Sequence, residues 1–252
     1  MRRMRYIRLT AVLLLTACGD GGSSPTAPPT PPAPVATSVT VSPTSLLFAS
    51  LGDAQQLSAT VKDQNGATMS GATVTWTTSA ASVAMLSSAG LLTSVADGSA
   101  TITATSGSAS ATATVSVAQV AATLSLSDSA LTFNSLADTT QLTATVTDAN
   151  GQVIDGATVT WTTSNDTVAT VSSTGLVTSV ADGSATITAT SGEASATASV
   201  AVGQVAAAVS LSDSILTFAS LADTTQLTAT VTDANGQVID GATVTWTTSN
   251  DT

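Results

Sequence analysis

The sequence predicts an all-β chain of tandem β-sandwich repeats, the third of which is incomplete. The segment GATVTWTTS at 156–164 recurs at 71–79 and at 241–249, so the three tryptophans lie 85 residues apart. A fixed period of this length indicates one domain copied in tandem. Charged residues make up only 8% of the chain, and Thr, Ser, Ala and Val dominate it. β-Branched side chains favour pleated strands over helices.

Charge is distributed unevenly along the chain, whose formal net charge is −11. Four of the five basic residues fall in the first eight positions, and the fifth is Lys62. The other 244 residues carry all 16 acidic residues, and such a surface repels phosphate backbones, so we expect no nucleic-acid partner. We interpret Lys62 as a solvated edge lysine, because the equivalent positions of the other repeats carry threonine. The alternative, an intramolecular isopeptide bond, would therefore be peculiar to the first repeat.

The inventory of reactive side chains is small. The chain has no histidine and a single cysteine, which excludes histidine-based zinc sites, catalytic triads and an intramolecular disulfide. We therefore expect no catalytic residue, no cofactor and no metal site, and a protein that is not an enzyme.

Residues 1–17 have the organisation of a secretory signal peptide, with an arginine-rich start followed by the apolar stretch 9–15. The boundary Leu-Thr-Ala-Cys at 15–18 resembles the signal of bacterial lipoproteins, in which a small residue precedes the modified cysteine. The resemblance implies that the thiol of Cys18 receives a diacylglyceryl group and that this lipid makes the membrane a partner. It implies a lipid-anchored protein of the cell envelope, at the outer membrane or cell surface. The alternative is that Cys18 is incidental to a plain signal peptide or an uncleaved anchor.

Residues 18–37 follow as a proline-rich linker that holds six of the seven prolines. Proline fixes φ and has no N–H group, so this stretch favours extended polyproline II over a sheet. We interpret it as a semi-rigid spacer, with a proline-rich docking motif as the alternative.

The second repeat shows the strand pattern most fully. A first strand around 124–126 resumes at 131–133 after a break, as expected for a strand that changes sheets. The segment 141–147 alternates apolar and polar residues, which predicts one buried face. Asn150-Gly151 then supplies a turn. Further strands are predicted around Trp161 and in four later segments, 168–171, 175–180, 185–189 and 196–202. About seven short strands with regular turns are typical of an immunoglobulin-like sandwich.

These motifs, in the order LTATV, VTWTTS, VATV, GLVTSV and GSATITAT, resemble the bacterial Ig-like domain group 2, which is related in fold to the modules of invasin and intimin stalks. The resemblance places Ig-like domains at 38–119 and 120–204 and a partial one at 205–252. We expect Trp76 and Trp161 to pin the cores of the two full domains.

The third repeat differs from the second at two positions from Asp213 onward, Ile215 for Ala130 and Ala219 for Asn134. Counterparts of residues 168–202 do not follow it, so we expect uncovered apolar surface around Trp246. This pattern indicates either a truncated sequence of a longer protein or a terminal half-domain that borrows strands from another copy.

Two aspartates, Asp148 and Asp155, recur as Asp233 and Asp240. Paired carboxylates could serve glycoside hydrolysis or hold calcium. Both lie in predicted turns, where aspartate is favoured for local hydrogen bonding, and the first repeat has Ser70 at the second position. We interpret them as turn residues, with calcium between the repeats left open.

The functional hypothesis is a surface-anchored lipoprotein whose Ig-like repeats act as a stalk or adhesion module, with a surface protein or a glycan as its ligand. The short links at 118–120 and 203–205 predict semi-rigid junctions between repeats. The alternative is that these repeats are spacer modules of an envelope enzyme or carbohydrate-binding protein whose active domain lies beyond residue 252.

Overall fold

The computed structural model describes residues 32–249, and every regular element among them is a β-strand. The expected signal peptide, Cys18 and most of the proline-rich linker lie outside the described residues. Residues from Val35 onward form one compact unit. Within the described part of the chain, no helix is long and apolar enough to cross a membrane.

The first repeat contains nine strands in three hydrogen-bonded groups. The four-stranded sheet has the order β2-β9-β8-β5, the three-stranded sheet the order β3-β7-β6, and β1 pairs with β4. The strands are β1 (Ala36–Ser42), β2 (Ser45–Phe48), β3 (Ala54–Gln56), β4 (Ser58–Asp63), β5 (Thr75–Thr78), β6 (Ala84–Leu86), β7 (Leu91–Ser94), β8 (Gly98–Ser106) and β9 (Ala109–Val117).

The second repeat reproduces this arrangement strand for strand. Its sheets have the orders β11-β18-β17-β14 and β12-β16-β15, with β10 paired to β13. The strands are β10 (Thr123–Leu126), β11 (Ala130–Phe133), β12 (Thr139–Gln141), β13 (Ala144–Thr147), β14 (Thr160–Thr163), β15 (Ala169–Val171), β16 (Leu176–Ser179), β17 (Gly183–Ser191) and β18 (Ala194–Val202).

The predicted change of sheet in the first strand is confirmed. β10 is antiparallel to β13, whereas β11 is parallel to β18 in another sheet. The prediction of one continuous strand over 141–147 was wrong. β12 pairs with β16 and β13 pairs with β10, so the chain changes sheets around Leu142. The apolar-polar alternation continues across this break, which is why the pattern did not reveal it.

The core of each full repeat lies between its sheets, and every second residue along the core strands contributes a buried side chain. Ala185, Ile187 and Ala189 of β17 point inward, as do Val200 and Val202 of β18. Burial of one such aliphatic side chain stabilises a fold by about 1.5–3 kcal/mol. In the absence of a disulfide, apolar packing of this kind is the main source of stability for each sandwich.

The tryptophans of the full repeats are half-buried rather than fully buried. Trp161 packs against both apolar clusters of its repeat, and its indole ring lies close to the turn at Gly175. A Cβ atom at Gly175 would stand 2.6 Å from the carbonyl oxygen of Leu142 and 2.8 Å from the Trp161 ring, and the φ angle is +86°. Only glycine fits this position without strain.

The third repeat contains two strands within the described residues, β19 (Ala208–Leu211) and β20 (Ala229–Thr232), paired antiparallel. Phe218 is 53% exposed although its counterpart Phe133 is 4% exposed, and Trp246 is 52% exposed. Residues 205–249 contain no strands equivalent to β15–β18, which cover these positions in the second repeat. The expectation of uncovered apolar surface in this repeat is confirmed.

Candidate functional site: the joint between repeats

The first repeat presents a rigid turn to the second. The turn Leu51-Gly52-Asp53 links β2 to β3 and is held by Ser94 at the end of β7. The Gly52 N–H donates to the Ser94 carbonyl at 3.0 Å, and the Ser94 N–H donates to the Asp53 carbonyl at 2.9 Å. The buried Ser94 hydroxyl donates to the Ser50 carbonyl at 2.8 Å. These bonds fix the direction in which the peptide groups of Leu51 point.

The second repeat presents a turn built around one carboxylate. Asp148, directly after β13, is only 1% exposed. Its Oδ1 atom accepts hydrogen bonds from the backbone N–H groups of Asn150 at 3.0 Å and Gln152 at 2.9 Å. This is the local bonding that makes aspartate favourable in turns, and it leaves the Oδ2 atom for other partners.

Four hydrogen bonds then join the two turns and the linker. Asp148 Oδ2 accepts from the Leu51 N–H at 2.8 Å and from Gln119 Nε2 at 3.0 Å. Asn150 Nδ2 donates to the Leu51 carbonyl at 2.9 Å and to Asp53 Oδ1 at 2.8 Å. We call this set of five residues joint 1. Both polar groups of the Leu51 backbone are therefore engaged by the following repeat.

The linker residue Gln119 is bound on both sides of the junction. Its backbone N–H donates to Asp97 Oδ1 in the first repeat at 2.9 Å, while its side chain reaches Asp148 in the second. The neighbouring Val120 N–H donates to the Ala49 carbonyl at 2.9 Å. The short link is thus hydrogen-bonded to the repeat that precedes it.

The same contacts recur between the second and third repeats, where we call them joint 2. Asp233 Oδ2 accepts from the Leu136 N–H at 2.9 Å and from Gln204 Nε2 at 3.0 Å. Asn235 Nδ2 donates to the Leu136 carbonyl at 2.9 Å and to Asp138 Oδ1 at 2.8 Å. Both junctions in the described part of the chain are therefore formed by the same four hydrogen bonds between equivalent residues.

The first repeat carries half of a joint at its other end. Asp63 Oδ1 accepts from the N–H groups of Asn65 and Ala67, each at 2.9 Å, as in the other repeats. Within residues 32–249, no hydrogen bond reaches Asp63 Oδ2 or Asn65 Nδ2 from a preceding turn. Pro34 stands where the joints have Gln119 and Gln204, and proline has no side-chain donor.

Electrostatics favour the ionised form of the joint carboxylate. Burial of Asp148 raises its pKa, but the hydrogen bonds from the Gln119 side chain and from the N–H groups of Leu51, Gln152 and Asn150 outweigh burial. The pKa therefore lies below the ordinary value for aspartate. The same causes lower the pKa of the joint 2 aspartate.

The structure refines the interpretation of the recurring aspartates. The predicted role in local turn hydrogen bonding was correct for the Oδ1 atom of Asp148. The hydrogen bond from Leu51, 97 positions earlier in the chain, to the Oδ2 atom was not predicted. A signal for it exists in the sequence: Gln119 and Gln204 recur one period apart in the linkers, and a glutamine there can donate to a buried carboxylate. The other pair, Asp155 and Asp240, is exposed. Within residues 32–249, no group of three or more potential ligand side chains is placed to hold a metal ion.

A cleft of about 340 Å³ lies beside Trp161 in the second repeat. Uncharged side chains such as Gln141, Thr143 and Thr174 line it. None of its lining residues is titratable, so the cleft offers no group for acid–base chemistry.

The repeated sandwich and its joints define a tandem array of Ig-like modules. Residues 35–117 and 120–202 each match the bacterial Ig-like domain (group 2). The chain belongs to this family, as the strand motifs indicated. No curated protein sequence matches the chain significantly.

Solved structures with similar folds include surface and adhesion proteins. Domains 1–6 of the surface layer protein SbsC align at 24% identity with a TM-score of 0.35, covering 73% of this chain and 27% of that one. The Yersinia pseudotuberculosis adhesin InvE aligns at 15% identity with a TM-score of 0.36, covering 65% and 58%. This chain thus spans about a quarter of the SbsC structure. At these scores the likenesses carry no functional argument.

Proposed function

We propose that this protein is a non-enzymatic component of the bacterial cell surface, in which the Ig-like repeats form a stalk or adhesion module. The observation that carries the proposal is the recurrence of the same joint at both junctions. Stability in repeat arrays depends on the interfaces between neighbours as well as on each repeat. A chain that repeats the interface along with the domain is suited to holding modules end to end.

The chemistry of the joint supports a mechanical role. Asp148 accepts a hydrogen bond from the N–H of Leu51, and Asn150 donates one to its carbonyl. Rotation of one repeat against the other therefore breaks more than one hydrogen bond. Each such bond contributes about 0.5–1.5 kcal/mol net, and bonds to a charged group contribute more. Linker residue Gln119 adds a further contact at the same carboxylate. The joint is therefore expected to resist bending while leaving each sandwich intact.

The anchor in this proposal is a lipid on Cys18, followed by the proline-rich linker. Burial of acyl chains contributes about 0.8 kcal/mol per methylene, so several chains hold a protein firmly in a membrane. An extended proline-rich spacer rises about 3.1 Å per residue and would keep the first repeat away from the membrane. The acidic repeats would repel one another, which favours separated stalks, and their ligand would be a surface protein or a glycan.

Replacement of the anchor cysteine tests the envelope location. We expect Cys18→Ser to move the protein from the membrane fraction to the soluble fraction and to abolish incorporation of a labelled fatty acid. Ser24→Ala, in the same linker, is the matched control and should behave as the unaltered protein does. Membrane retention of Cys18→Ser with undiminished labelling would contradict the lipid anchor.

Surface display is tested on intact cells. Antibodies raised against residues 35–249 should label cells that produce the unaltered protein, and labelling should fall when Cys18→Ser is produced instead. Absence of labelling on intact cells, with labelling restored after the envelope is opened, would contradict a surface role.

A further inference from the structure

The chain contains three Asn-Gly pairs in turns with the same backbone geometry. They are Asn65-Gly66, Asn150-Gly151 and Asn235-Gly236. The glycine φ angles are 78°, 77° and 76°, and each glycine N–H donates to the carbonyl of the turn aspartate at 3.0 Å. Differences in reactivity among the three pairs therefore cannot come from the turn backbone.

Asn-Gly is the dipeptide most open to spontaneous deamidation, because glycine has no side chain to shield its backbone nitrogen. That nitrogen attacks Cγ of the asparagine, a new C–N bond closes a succinimide ring, and the side-chain nitrogen leaves as ammonia. Water then opens the ring at either carbonyl and gives aspartate or isoaspartate. The net change is amide plus water to carboxylic acid plus ammonia, with no oxidation or reduction.

The side-chain environments of the three asparagines differ sharply. Asn150 Nδ2 donates to the Leu51 carbonyl and to Asp53 Oδ1, and Asn235 Nδ2 makes the equivalent pair of bonds in joint 2. All three asparagines are exposed, but within residues 32–249 the Nδ2 atom of Asn65 has no such acceptor. Attack requires the amide to rotate toward the glycine nitrogen and its Nδ2 to leave. In a joint both hydrogen bonds must break first.

We propose that Asn65 is a site of spontaneous deamidation, whereas the joints protect the same dipeptide at Asn150 and Asn235. Deamidation at these two sites then requires the joint to open, so its rate reports how often the joint opens. The inference rests on the joint contacts and not on the surface role proposed above.

Conversion within a joint would also prevent two of its four hydrogen bonds from forming again. The new carboxylate would replace a donor with an acceptor facing the Leu51 carbonyl and the Asp53 carboxylate. Like charges at hydrogen-bonding distance repel, and no donor remains for either partner. Deamidation of Asn150 therefore removes two of the four hydrogen bonds of joint 1 irreversibly.

The test follows conversion at each asparagine during incubation of the full chain in warm neutral buffer, by peptide mass mapping with isoaspartate detection. We expect Asn65 to convert roughly tenfold faster than Asn150 or Asn235, the factor that two partly exposed hydrogen bonds correspond to. Equal rates at the three sites in the folded protein would overturn the proposal.

Two controls separate the joint from the local sequence and from general destabilisation. In concentrated urea the joints are absent, so the deamidation rates of the three asparagines should converge. A rate difference that persists in urea would come from the neighbouring residues and would overturn protection by the joints. Asp53→Ala should accelerate conversion at Asn150 and leave Asn235 unchanged, and Asp138→Ala should do the reverse. An equal rise at both sites in either variant would overturn protection by the individual joint.

Discussion

The substitution Asn150→Ala tests joint 1 with little disturbance elsewhere. The side-chain amide of Asn150 makes both of its described hydrogen bonds to the preceding repeat, at 2.9 Å to the Leu51 carbonyl and 2.8 Å to Asp53 Oδ1. Its backbone N–H, which donates to Asp148, is unaffected by the change. Asn65→Ala is the matched control, because it removes the same side chain from the equivalent turn, to which no other repeat is bound within residues 32–249.

The magnitude follows from the two lost bonds. At a partly exposed site each contributes about 0.5–1 kcal/mol net, so joint 1 should weaken by about 1–2 kcal/mol. A loss of about 1.4 kcal/mol corresponds to a tenfold rise in the population of the open joint. The control substitution is at the surface and should change stability by less than about 0.5 kcal/mol.

The assay is hydrogen exchange of the Leu51 amide, measured by NMR on the full chain. This N–H donates to Asp148 Oδ2 across the junction, so its exchange reports opening of the joint directly. We expect Asn150→Ala to accelerate exchange of this amide roughly tenfold, while core amides of β8 and β17 stay protected. Unchanged exchange at Leu51, or an equal acceleration in Asn65→Ala, would refute the argument.

Two further substitutions and a pH series extend the test. Gly175→Ala should destabilise the second repeat by about 2–5 kcal/mol, because left-handed backbone strain adds to the clash with Leu142 and Trp161. Gly156→Ala, where φ is +72° and no atom lies within 4 Å of the added Cβ, should cost only about 1–2 kcal/mol; equal shifts in thermal unfolding would contradict the close approach at Gly175. The ionised carboxylate of Asp148 stabilises the joint. This stabilisation is fully present above the ordinary pKa of aspartate in the unfolded chain, and it is lost as the pH falls through the depressed pKa of the folded state. Exchange of the joint amide, corrected for its intrinsic rate, should therefore stay constant from neutral pH to about pH 5 and rise only in more acid solution; a rise near neutrality would contradict this assignment.

Local patterns in the sequence were sufficient to predict most of the fold. The period of 85 residues, the alternation in β17 and β18, and the break between β10 and β11 are all expressed within short windows of sequence. The division of 141–147 between two sheets was not predictable in this way. Leu142 is buried and its neighbours are exposed whichever sheet the backbone joins, so the side-chain pattern is the same in both cases.

The joint was less accessible to sequence reasoning, because its partners are far apart in the chain. Asp148 carries the ordinary signature of a turn aspartate, and that role accounts for only one of its oxygens. The other oxygen accepts a hydrogen bond from the backbone N–H of Leu51. Every residue except proline has this group, so the sequence carries no signal of the contact. The residues whose side-chain identity matters to the joint do recur in the sequence: the linker glutamine at Gln119 and Gln204, and the turn asparagine at Asn150 and Asn235.

The most direct test of the joints as rigid links is a distance distribution between the two full repeats. Spin labels at Thr101→Cys and Thr186→Cys, both exposed and at equivalent positions, would be measured by pulsed electron resonance in a Cys18→Ser background. If the joints are rigid links, the distribution is single and narrow, and it broadens when Asp148→Ala and Asn150→Ala are combined. A distribution in the unaltered joint as broad as that of the double variant would contradict rigid joints.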